Sequence, residues 1–141
     1  MVGFGANDIA VLTGGLIDTT GITALALSMP RDGTITSVAA YLSVGAAVSL
    51  IGSEVTVTAQ LYQSTAPDNS FAPIAGTEVA LAPVLTGALS IGDTANGLVT
   101  GLSIPITAES RLMLVFSAAV TDGIDIATII SAFLSGGVNI E

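Results

Sequence analysis

A chain of 141 residues suits one domain, at roughly 100–200 residues each. It is 51% hydrophobic but only 9% charged and 4% aromatic, and eleven acids against Arg31 and Arg111 give a formal net charge of -9. Lys, His, Cys and Trp are absent, which argues against nucleic acid and anionic membranes as partners and removes zinc sites, disulfides, Cys or Ser-His-Asp nucleophiles, Schiff-base lysines and P-loops.

The first residues show neither a basic region nor a long apolar run, so no secretory signal is expected. Gly3-Phe4-Gly5 lacks the third Gly of a dinucleotide fingerprint. Ile22 to Met29 reads as a strand with Leu25, Leu27 and Met29 on one face, and Pro30-Arg31-Asp32-Gly33 as the turn after it. Thr34 to Ser43 is the next strand, and Gly45 to Gly52 is either an edge strand or a loop. Glu54 to Gln63 has the cleanest period of two: Val55, Val57, Ala59 and Leu61 on one side, with Glu54, Thr56, Thr58, Gln60 and Tyr62 on the other.

Ser64 to Gly76 is rich in turn formers and reads as a loop. Thr77 to Leu81 is a short strand ended by Pro83, and Ala88 to Gly97 a connection holding at most one short strand. Leu98 to Thr107 and Arg111 to Ala119 are expected to pair, with Pro105 at an edge or bulge. Asp122-Gly123 is a turn, Ile126 to Leu134 is apolar nearly throughout, and helical spacing can also be drawn through Ile124 to Phe133. Short strands with frequent turns point to one all-β domain spanning residues 1–141, a sandwich or barrel.

The mean hydropathy of +0.87 raises the question of a membrane. The uncharged stretch Gly33 to Ser53 has the length of a spanning helix, but six Ser and Thr and two Gly interrupt it. A membrane β-barrel would need strands of about 9–11 residues and two aromatic girdles, which short strands and six aromatics do not supply. An obligate oligomer fits better, because its interface resembles a domain core cut in half.

Candidate chemistry is thin. Ile17-Asp18-Thr19-Thr20-Gly21 resembles the Asp-Thr-Gly turn of aspartic proteases but carries one inserted Thr. Asp122-Gly123-Ile124-Asp125 offers too few oxygens for Ca²⁺. No catalytic, cofactor or metal residue is therefore assigned, and an enzyme is not expected. Arg31 and Arg111 are expected to pair with carboxylates such as Asp32 or Glu109. Tyr62, an aromatic on a polar strand face, is an interface candidate. No Asn-x-Ser/Thr occurs, so N-glycosylation is not expected.

Three segments carry a resemblance: Ser28 to Tyr41, with its Pro-Arg-Asp-Gly-Thr-Ile-Thr run; Val57 to Tyr62 with the Pro67-Asp68-Asn69 loop; and Gly101 to Leu112. Together they resemble the C-terminal domain of BclB-type exosporium glycoproteins, collagen-like proteins of the spore surface, over about Gly14 to the end. The resemblance implies a jelly-roll β-sandwich, C1q/TNF-like, that assembles as a homotrimer, with no cofactor. It implies a non-enzymatic head at the spore surface that sets the register of a collagen-like stalk; a glycan- or receptor-binding head on the same fold is the alternative, with an exposed aromatic platform near Tyr62 or Phe71. Tyr41, Tyr62, Phe116 and Phe133 are the candidate trimer-interface residues. The 16 Gly show no Gly-X-Y period, so any stalk lies outside this sequence.

Overall fold

A computed structural model describes residues 12–13, 16–18, 26–45, 48–65, 68–123 and 132–141. Their strands, in chain order, are β1 (Leu12–Thr13), β2 (Leu16–Asp18), β3 (Leu27–Ser28), β4 (Gly33–Val44), β5 (Val48–Ser64), β6 (Ser70–Pro73), β7 (Val79–Ala80), β8 (Leu85–Leu89), β9 (Thr94–Val99), β10 (Ile104–Ile106), β11 (Arg111–Gly123) and β12 (Ala132–Ile140). No helix occurs among the described residues.

The strands form two antiparallel sheets. The larger runs β1-β2-β6-β5-β11-β3, and the long β5 also carries β7 and β8 along the edge that it shares with β6. The smaller is β10-β4-β12, with β9 also on β4. The chain passes from the larger sheet to the smaller between β3 and β4, returns at β5, crosses again at β9, and splits β11 from β12. Each sheet presents one apolar face, and the two faces bury each other, as in a β-sandwich.

The alternation expected for Glu54 to Gln63 supplies half of that core: Val55, Val57, Ala59 and Leu61 are buried. Ile35, Val38, Ala40, Leu42 and Val44 of β4 face them from the other side, with Ala95, Ile106, Val79, Leu81, Leu85, Leu89 and Leu112 filling in. Ile35 and Val38 can both point inward because Thr36 is an extra residue: β12 pairs Ile140 with Ile35 and Asn139 with Ser37. This β-bulge is fastened by Asn139, whose Nδ2 donates to Thr36 Oγ1 at 2.7 Å.

With few aromatics, the core gains contact by close approach of the sheets rather than by large side chains. A Cβ on Gly136 would fall on Leu114 Cδ2 and within 2.9 Å of the Ala39 carbonyl oxygen. A Cβ on Gly97 would come to 2.6 Å from Val79 Cγ1 and 2.8 Å from the Ala80 carbonyl oxygen. Buried polar groups are matched: the Thr77 hydroxyl donates to the Ile74 carbonyl at 2.7 Å and accepts the Leu61 N–H at 3.1 Å.

Several expectations change. The stretch at Gly45 to Gly52 contributes to a continuous β5, which runs through Gly52 from Val48. The Ser64 to Gly76 loop contains β6, and the Ala88 to Gly97 connection contains most of β9. Leu98 to Thr107 does not pair with Arg111 to Ala119: β10 pairs with β4, while β11 pairs with β5 and β3. The reason is that the chain changes sheets between them. Pro105 does lie on an edge strand, opposite Thr34, where its missing N–H costs no ladder bond. Met29 is buried whereas Leu27 is 44% exposed, so the expected common face ends with β3. The possible helix at Ile124 falls mostly outside the described residues, as do Gly3-Phe4-Gly5, Thr19 to Gly21 and Ile22 to Leu25.

Candidate interaction surface

β4 alternates buried and outward positions after its bulge, so Ser37, Ala39, Tyr41 and Ser43 lie on the outer face of the smaller sheet. Their neighbours follow from register. Leu98 and Gly137 flank Ala39; Asn96 and Ser135 flank Tyr41; Thr94 and Phe133 stand opposite Ser43. Cross-strand neighbours have Cβ atoms about 4.5–5.5 Å apart, so Ser37, Ala39, Tyr41, Ser43, Thr94, Asn96, Leu98, Ser135 and Gly137 form one continuous patch. Tyr41 stays 43% exposed between short neighbours, and Leu98 is 66% exposed.

The sheet carries no charge. Neither β4, β9, β10 nor β12 contains an Asp, Glu or Arg. The acids of the described chain lie elsewhere: Asp18 on β2, Glu54 on β5 and Asp122 on β11 in the larger sheet, Asp32 and Glu109 in turns, Asp68 before β6, Glu78 before β7, Asp93 before β9, and Glu141 just past the end of β12, where its backbone pairs with Thr34. A protein with net charge -9 thus presents one face of uncharged strands that holds two of its five exposed large hydrophobic side chains among the described residues. Such a face suits apolar contact with another polypeptide.

The four interface candidates are not brought together. Tyr41 lies on the patch. Phe133 is in register with Ser43, its backbone in β12. Phe116 on β11 is half-buried and packs against the main core. Tyr62 is buried on the far face of the larger sheet, where it forms a second apolar cluster with Phe71, Ala26, Met113 and Val115. Sequence periodicity places Tyr62 correctly on the face opposite Leu61, but that face acquires its own cover. Leu98, which the sequence alone does not single out, is more exposed than any of the three candidates with described side chains; its signal lies in its register with Ala39.

Arg111 closes the second cluster. Its guanidinium carbon sits 5.2 Å from the Phe71 ring centroid, and its Nη1 donates to the Asp68 carbonyl at 2.8 Å and to Asn69 Oδ1 at 3.4 Å. The Asp68 carboxylate accepts the Ser64 hydroxyl at 2.7 Å and the Ser70 N–H at 3.0 Å. The Ser64 hydrogen bond, then the Ser70 N–H, with a smaller part from the Arg111 charge, holds the Asp68 carboxyl below the usual aspartate range. The expected partner Glu109 is therefore replaced by the Asp68 loop. Arg31 donates to the Asp32 carbonyl at 2.9 Å, while the Asp32 carboxylate accepts the Ala108 N–H at 2.7 Å. Both arrangements hold turns in place. No group of three or more Asp or Glu residues among the described ones could hold a metal ion.

Fold and surface together define an all-β protein of two packed sheets with an uncharged outer face. A mimivirus protein (Acanthamoeba polyphaga mimivirus) called Collagen-like protein 1 is 33% identical to this chain over 141 residues, a match covering 95% of the chain and 15% of that protein. The chain therefore spans a small part of the relative's length. No family model and no solved structure matches the chain.

Proposed function

We propose that this chain is the non-enzymatic structural head of a collagen-like protein, a C1q/TNF-like jelly roll that forms a homotrimer and holds the three chains of a collagen-like stalk in register at a spore surface (the exosporium). The observation that carries the reading is the uncharged outer face of β4, β9 and β12. Three copies at -9 would total -27, and association of such copies is tolerable only where their charges stay apart. Contact through this face uses strands that carry no carboxylate of their own and leaves the acids of the larger sheet and the turns to repel other heads.

The alternative of a glycan-binding head draws less support, because the platform it needs at Tyr62 or Phe71 is buried: Phe71 is 0% and Tyr62 8% exposed. The likeness to Collagen-like protein 1 favours a stalk-associated role. Appending a Gly-Pro-Pro repeat tract tests it. The head is expected to raise the melting temperature of the tract's triple helix above that of the tract alone; an unchanged melting temperature contradicts the registering role.

A further inference from the structure

We propose that Asn96-Gly97 is a latent deamidation site that strand pairing keeps silent and that separation of β9 activates. When Gly follows Asn, no Cβ hinders attack by the Gly amide nitrogen on the Asn carboxamide carbon. A new N–C bond forms to Cγ, ammonia leaves, and a succinimide results. Water then opens either ring carbonyl, giving aspartate or isoaspartate. The reaction needs a free amide nitrogen and a backbone that can turn it toward Cγ.

The fold denies both. The Asn96 N–H donates to the Ala82 carbonyl at 3.0 Å, and the Asn96 carbonyl accepts the Ala82 N–H at 2.9 Å. These groups therefore point away from β4. Backbone groups of successive strand residues point to opposite sides, so Gly97 directs its N–H at β4, in register with Ala40. The attacking nitrogen is held in the ladder, and the extended backbone is fixed from both edges. Within one chain the Asn96 side chain is exposed, so there the backbone alone guards it.

Packing imposes the reactive pair in the first place. Val79 Cγ1 and the Ala80 carbonyl oxygen leave no room for a Cβ on Gly97. Asn69 and Asn139 are followed by Ser70 and Ile140, whose side chains hinder the same attack. Reaction at Asn96 puts a carboxylate beside Tyr41 in a sheet that has none. An isoaspartate also adds a carbon to the main chain, so the residues after it lose their register with β4. Modification thus records, irreversibly, that β9 has come apart.

The test is peptide mapping by mass spectrometry after parallel incubation of the folded protein and of the same chain in urea, at one mildly alkaline pH and temperature. Conversion at Asn96 is expected in urea and is expected to be slower by about tenfold or more in the folded protein, as for a site that reacts only through local opening. A slowdown of less than about tenfold overturns the proposal, and so does a failure of Asn96 to convert in urea ahead of Asn69. Asn96→Gln, which forms the cyclic imide far less readily, should abolish the urea signal at this position; persistence of that signal also overturns it.

Discussion

The Arg111 guanidinium lies 5.2 Å from the centre of the Phe71 ring, and the same side chain holds the carbonyl of Asp68, three residues before that ring. One cation therefore fixes both the aromatic and the turn that delivers it. A cation over an aromatic face is worth roughly 0.5–2 kcal/mol. Arg111→Ala is expected to lower stability by about 1–2 kcal/mol, read as a shifted urea midpoint. Arg111→Lys should recover only part, since an ammonium cannot hold Asp68 and cover the ring with one planar group. A midpoint unchanged in Arg111→Ala contradicts this.

Acid should act on the same turn. The Asp68 carboxyl is depressed in the folded protein, so its contribution is complete above the unfolded aspartate value. It fades as pH falls through that value toward the folded one, and is gone below both. Stability from this group should hold from neutral pH to about pH 5 and decline further down. Asp68→Asn removes this part of the decline, so its acid limb is shallower than that of the wild type. Parallel acid limbs in urea titrations contradict the assignment.

Neighbouring glycines in β12 should behave differently. A Cβ on Gly136 meets Leu114 and the Ala39 carbonyl, whereas a Cβ on Gly137 meets nothing within 4 Å. Overpacking costs typically about 1–3 kcal/mol, so Gly136→Ala should lose that much and Gly137→Ala, which meets no atom of its own chain, should lose less. Equal effects in thermal denaturation contradict the close approach of β11 and β12.

Glu109 has φ of 69°, a left-handed conformation, which costs a non-Gly residue roughly 1–2 kcal/mol. The conformation is kept because the Glu109 N–H donates to the Met29 carbonyl at 2.7 Å. Glu109→Gly should raise stability by up to about 1 kcal/mol, after the greater freedom of Gly in the unfolded chain is offset. A loss of stability would show that its side chain contributes more than the strain.

The strands legible in the sequence are those whose pattern is local. Val55 to Leu61 alternate cleanly because one face of β5 meets the main core and most of the other is polar. β9 is poorly legible because Ala95, Asn96 and Gly97 are weak strand formers; the small residues serve the crowded inner face, a property of the opposing β7 rather than of β9 itself. The false pairing of β10 with β11 arises because a short connection looks like a hairpin, and nothing local marks a change of sheet. The burial of Tyr62 needs Phe71 from β6 and Met113 and Val115 from β11, none adjacent in sequence. The uncharged face is legible as three charge-free segments, but only register puts Leu98 beside Ala39 and Asn96 beside Tyr41.

The most direct measurement is the mass of the protein in solution at micromolar concentration, by light scattering or sedimentation equilibrium. A species of three times 13.9 kDa is expected. Leu98→Asp, which places a charge on the shared face, should give a single-chain mass with unchanged strand content by circular dichroism. A wild-type protein that remains a 13.9 kDa monomer contradicts the account, as does a Leu98→Asp variant that stays trimeric.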